Sequence, residues 1–133
     1  MKIAVVTDDG KMISRHFGRA QNYLVVEVEA GNEIARSLRD KMGHHEFSGA
    51  EEKATGQQGV GHGFGPASQK RHEQMLQAIN DCQVVIAGGM GRGAYQSMVD
   101  AGKEVYVVST QDVDQALEAY LGGTLENMMD LIH

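Results

Sequence analysis

The sequence predicts an α/β fold built on a mixed five-stranded sheet, and three observations carry that expectation. Three short strand-like segments follow one another within the first 40 residues, joined by turns. Two later apolar runs each follow a helical segment, and 133 residues suffice for one hydrophobic core of ordinary size. Hydrophobic residues at 41% and charged residues at 23% match globular averages, so a single domain over residues 1–133 is expected.

The elements follow in order. Lys2 to Thr7 is rich in Ile and Val and is stopped by the turn chemistry of Asp8-Asp9-Gly10-Lys11. Tyr23 to Glu29 alternates partly and reads as a strand whose far end reaches solvent; Ala30-Gly31-Asn32 then turns into a third strand, about Glu33 to Asp40. Lys41 to Pro66 holds seven glycines, three histidines and few apolar residues, and reads as a long loop. Gly65-Pro66 opens a helix whose stripe is Met75, Leu76 and Ile79, ending near Asn80. Gln83 to Ala87 is a continuous apolar run, expected as a central parallel strand buried on both faces. After the glycine turn Gly88 to Gly93, a helix from Ala94 to Ala101 directs Tyr95, Met98 and Val99 inward and stops at Gly102. Glu104 to Ser109 is the fifth strand. Asp112 and Gln115 are spaced as a capping box for a helix to Leu121, and Thr124 to Ile132 suits a last short helix. Most of the eight methionines fall on such stripes and read as core.

This β-β-β-α-β-α-β-α order matches a ribonuclease H-like three-layer architecture. Short turns make the first three strands run up, down and up, and helical crossovers return the last two parallel to the first. The C-terminal ends of strands one, three and four therefore open on one edge, where open α/β sheets bind ligands.

Charge and cysteine usage narrow the function. A net charge of -6 opposes attraction to nucleic acid or an anionic membrane, and no apolar run approaches the ~18 residues that span a bilayer; a cytoplasmic protein is expected. The single cysteine, Cys82, precludes an internal disulfide and a closed multi-thiolate metal site. It precedes the fourth strand, at the opposite edge, on the order of 20 Å from the ligand edge at ~3.3 Å per residue.

Three features meet at the ligand edge. The glycine turn Gly88-Gly89-Met90-Gly91-Arg92-Gly93 joins a buried strand to a helix start, where glycines permit positive φ or close backbone approach and free amides attract an anion; Met90 is placed there to face a ligand. A tight turn that binds nothing has the same composition. His16, between Arg15 and Phe17-Gly18-Arg19, offers an imidazole to a metal while Arg15 and Arg19 balance an anion, although a lone surface histidine is the commoner case. His44, His45 and His62 in the long loop are further candidate metal ligands. His72 reads as a solvated helix residue.

The segment Ser14-Arg15-His16-Phe17-Gly18-Arg19-Ala20, the glycine and histidine loop, and the run Asp81 to Ala94 together resemble the dinitrogenase iron-molybdenum cofactor biosynthesis family, whose members include NifX, NafY and the C-terminal domain of NifB. The resemblance extends from Lys2 to about Leu121. It implies a ribonuclease H-like fold, an iron-sulfur or iron-molybdenum-type cluster as cargo, cluster donor and acceptor proteins as partners, and a binding site at His16 and the Gly88 to Gly93 turn. One thiol in the wrong place suits a non-enzymatic carrier that grips its cargo by histidine and backbone, and not a catalytic cluster enzyme. A nuclease is disfavoured because Ile3-Ala4-Val5-Val6 lacks the first-strand carboxylate that metal-dependent cleavage requires. The remaining alternative is a small-anion or nucleotide sensor using the glycine turn alone.

Overall fold

A computed structural model of the chain describes residues 1–41 and 73–132. Its five strands are β1 (Lys2–Thr7), β2 (Asn22–Glu29), β3 (Asn32–Asp40), β4 (Val84–Ala87) and β5 (Glu104–Val107). The described helices are α1 (residues 73–77), α2 (Arg92–Asp100) and α3 (Val113–Leu121). The sheet order is β3-β2-β1-β4-β5. β2 pairs antiparallel with β1 and β3, while β4 lies parallel to both β1 and β5, as helical crossovers require.

The period of two along each strand divides the core into two layers. On one face Ala4, Val6, Tyr23, Val25, Val85 and Val105 pack against Met75 and Ile79 near α1 and Ala94 and Met98 of α2. On the other, Ile3, Val5, Leu24, Val26, Val84 and Ile86 pack against Val113, Ala116 and Leu117 of α3. Because β1 and β4 lie centrally between both layers, Ile3 to Val6 and Val84 to Ala87 are buried without interruption.

Local signals held at most element ends. Ala30 and Gly31, at φ 53° and 80°, form a two-residue hairpin turn between β2 and β3. The Asp112 carboxylate accepts from the Gln115 amide at 2.9 Å, and Gly102, at φ 84°, follows α2.

Three expectations need correction. Helix α2 starts at Arg92, two residues early, and its Val99 is 40% exposed, because the nine-residue helix turns only Ala94 and Met98 fully into the core. The tail after Gly123 forms a single 3-10 turn, Met129–Leu131, instead of a helix. Met1, Met12 and Met129 are exposed. The edge strand β3 is exposed along nearly its whole length, with Ile34 and Leu38 about half exposed at 54% and 48%; among the described residues no helix packs over it.

Polar contacts tie β3 down instead. The Arg39 guanidinium donates to both oxygens of Asp81 at 2.7 and 2.9 Å, and Lys2 donates to the same carboxylate at 3.0 Å. Arg39, seconded by Lys2, holds the Asp81 carboxyl far below the usual carboxylate range. Arg39, near the C-terminal end of β3, thus reaches across the sheet to Asp81 and Lys2, which stand by the N-terminal ends of β4 and β1.

Candidate functional site

The chain leaving β1 folds back over the C-terminal edge before entering β2. Thr7 accepts the Gly10 amide on its hydroxyl oxygen at 2.9 Å and donates to the Met12 carbonyl at 2.5 Å. The Asp9 carboxylate accepts from the amides of Met12 and Lys11, which hold its carboxyl below the ordinary range. The Ser14 amide then reaches the Val6 carbonyl at 2.8 Å, and the Asp8 carboxylate closes the neck of the loop by accepting the Gln21 amide at 2.9 Å.

Within this loop Phe17 and Ala20 are core residues, 4% and 6% exposed. Between and beside these anchors Arg15, His16, Gly18 and Arg19 face solvent. The amides of Arg19 and Ala20 both donate to the His16 carbonyl at 3.0 Å, and the His16 amide donates to the Ser14 hydroxyl at 3.1 Å. Backbone bonds thus fix the turn while, among the described residues, the His16 ring has no hydrogen-bond partner. A β-carbon added at Gly18 would meet nothing within 4 Å. Nothing in the described fold requires glycine there.

The glycine turn abuts this loop directly. The Gly88 amide donates to the Ser14 carbonyl at 2.9 Å and the Phe17 amide to the Gly89 carbonyl at 3.2 Å. A β-carbon at Gly88 would lie 2.7 Å from the Ser14 oxygen, and one at Gly89 would lie 2.3 Å from the Arg15 oxygen. Neither residue has positive φ. These two glycines therefore serve close approach between parts of the chain itself, and conformational freedom plays no part.

Met90 is corrected more sharply: it is 1% exposed and belongs to the core beside Ala87 and Ala94, so its thioether does not face the edge. Its amide reaches the Leu131 carbonyl at 3.4 Å, and its backbone bridges to Ile132. Gly91 is the N-cap of α2 and provides no side-chain acceptor, and the first helical turn has no acidic residue. The helix dipole and exposed Arg92 thus present positive potential there. Arg92 and Gly93 line an open groove of about 520 Å³ with Tyr95, Gln96, Met129 and Ile132. Sequence reasoning missed Met129 and Ile132, whose apolar spacing suggested a helix with no indication of what it adjoins.

The structure thus brings Arg15, His16 and Arg19 onto the same sheet edge as Gly88, Gly89 and the start of α2. His44, His45 and His62 lie outside the described residues, as does His72. Among the described residues no three His, Cys, Asp or Glu side chains gather as a metal-binding group. Cys82 is 2% exposed at the opposite edge, and burial, with a smaller contribution from Asp81, pushes its thiol up to about 11. Among the described residues no helix is long and apolar enough to cross a membrane.

A family model described as dinitrogenase iron-molybdenum cofactor matches residues 1–123. The uncharacterized protein MJ0580 of Methanocaldococcus jannaschii is 28% identical over 126 residues, covering 95% of this chain and 90% of that protein. The crystal structure of PH0822 superposes with a TM-score of 0.68 at 18% identity, covering 98% of this chain and 99% of that one. The apo form of the orange protein from Desulfovibrio gigas gives a TM-score of 0.64 at 21% identity, covering 96% of this chain and 92% of that one. The two structures attest the fold. The family match takes in both the His16 loop and the glycine turn, and by it this chain belongs to the dinitrogenase iron-molybdenum cofactor family.

Proposed function

We propose that this protein binds an anionic iron-sulfur or iron-molybdenum-type cluster, or its precursor, and passes it from a donor to an acceptor protein without turnover. The observation that carries this reading is the His16 turn: an exposed imidazole with no partner among the described residues, flanked by exposed Arg15 and Arg19 and fixed by its own backbone bonds. A neutral imidazole donates to iron or another borderline metal, and guanidinium groups balance the charge of a sulfide-rich anion. The uncapped start of α2 with Arg92 adds positive potential on the same edge. Family membership supports a cofactor-handling role. A single imidazole with weaker electrostatic contacts suits cargo that must be released, whereas resident clusters are held by several thiolates.

On this reading residues 1–133 act as one domain, the fold is of the ribonuclease H-like kind, and the protein works in the cytoplasm. The anion-sensor alternative loses support because the Gly88 and Met90 amides already donate to the Ser14 and Leu131 carbonyls. Two donors are thus withdrawn from any phosphate. Anaerobic titration with tetrathiomolybdate and with a preformed iron-sulfur cluster, beside inorganic phosphate and a nucleotide, tests the proposal. Tight, stoichiometric uptake of a metal sulfide is expected. Binding of phosphate or nucleotide alone would overturn it.

A further inference from the structure

Lys41, at the end of β3, is 1% exposed, the one charged side chain among the fully buried large residues of the described chain. Burying an ammonium costs several kcal/mol unless hydrogen bonds and charge compensate it, so an apolar residue would be the default at such a position. The ammonium donates to the backbone carbonyl of Phe17 and sits 4.3 Å from the centre of the Phe17 ring. The Lys41 amide donates to the Gln21 carbonyl at 2.9 Å, which fixes the end of β3 against the base of the same loop. The Phe17 carbonyl belongs to the peptide between Phe17 and Gly18, in the middle of the exposed His16 to Arg19 turn.

We propose that Lys41 is a positioning residue of the cluster site: its buried ammonium holds the Phe17 carbonyl inward from beneath, setting the turn so that His16, Gly18 and Arg19 face outward in one arrangement. The inference deepens the carrier reading and rests on it for its ligand. The turn's own bonds, from Arg19 and Ala20 to the His16 carbonyl, close it locally, and the Phe17 amide anchors one side of it to Gly89, while its carbonyl side is held from the end of β3 by Lys41. Lys41 adds a side-chain tie from turn to sheet beside the bond from the Phe17 amide to the Gly89 carbonyl.

The first measurement uses the wild-type protein. Nitrogen-detected NMR of Lys41 should show a slowly exchanging ammonium with through-hydrogen-bond coupling to the Phe17 carbonyl carbon; a rapidly exchanging ammonium without that coupling overturns the inference whatever any variant does. The second uses Lys41→Met, which keeps the stem and removes the charge, at a temperature where the variant is folded. The Arg19 and Ala20 amides should then exchange at least tenfold faster while those of Val84 to Ala87 stay unchanged, and the anaerobic Kd for tetrathiomolybdate should rise at least tenfold. Wild-type protection of the turn together with unchanged affinity overturns the inference. If wild-type protein fails to bind tetrathiomolybdate or an iron-sulfur cluster, the carrier reading falls, and the coupling and exchange data still decide what Lys41 positions.

Discussion

Replacing Gly89 by alanine should both destabilise the fold and displace the candidate site. The new methyl would stand 2.3 Å from the Arg15 oxygen and 3.3 Å from its carbonyl carbon. An ordinary carbon-oxygen contact needs about 3.3 Å, so backbone must move by roughly 1 Å, and overpacking of this kind costs about 1–3 kcal/mol. The obstacle is backbone, which cannot rotate away as a flexible side chain would. Moving Arg15 off the turn also strains the bonds from the Gly88 amide to Ser14 and from the Phe17 amide to Gly89. Each contributes about 0.5–1.5 kcal/mol net. The total is on the order of 2–6 kcal/mol, a melting-temperature loss of roughly 6–24 °C for a domain of this size. The assay is thermal denaturation by circular dichroism, with amide exchange at Phe17 as the local probe. A Gly89→Ala protein that melts within 2 °C of wild type, with Phe17 equally protected, would refute the argument that self-packing is what demands glycine here.

Gly18→Leu is the complementary case: with open space around the added side chain and no positive φ, melting should change by less than about 2 °C, whereas anaerobic binding of tetrathiomolybdate should fall sharply as the side chain covers the turn. His16→Ala should raise the Kd at least tenfold, about 1.4 kcal/mol, with the melting temperature unchanged; a Kd equal to wild type removes the central ligand from the proposal. Partial loss in that variant, completed by adding His62→Ala, would indicate shared ligation. The Cys82 thiol, pushed up to about 11 in the fold, is protonated there while an unfolded thiol ionises near 9, so stability is intact below about pH 9 and falls as pH rises toward 11. By pH 10 this one group removes roughly 1.4 kcal/mol. Urea midpoints measured from pH 7 to pH 10 should therefore fall less steeply for Cys82→Ala than for wild type, and parallel curves would contradict the linkage.

The sequence by itself determined the features that local chemistry encodes. An unbroken apolar run placed β4 at the centre, since only a strand covered on both faces tolerates it; Asp112 with Gln115 located the start of α3, and Gly102 the end of α2. Strand directions followed from connection lengths, and with them the sheet edge that His16 shares with the glycine turn. The tertiary structure decided the rest, because each remaining feature depends on a neighbour distant in the chain. Phe17 reads as part of a short polar segment, yet it is buried because Lys41 and Tyr23 come to meet it. Gly88 and Gly89 looked like a cradle for an anion, but the space they leave is filled by the carbonyls of Ser14 and Arg15, contributed by a loop more than 70 positions earlier. Met90, at a site read as open, is drawn into the core beside Ala94, and its backbone meets Ile132. Periodicity reports which residues prefer to be covered. Which segment covers them is set by packing between elements that no window of sequence contains.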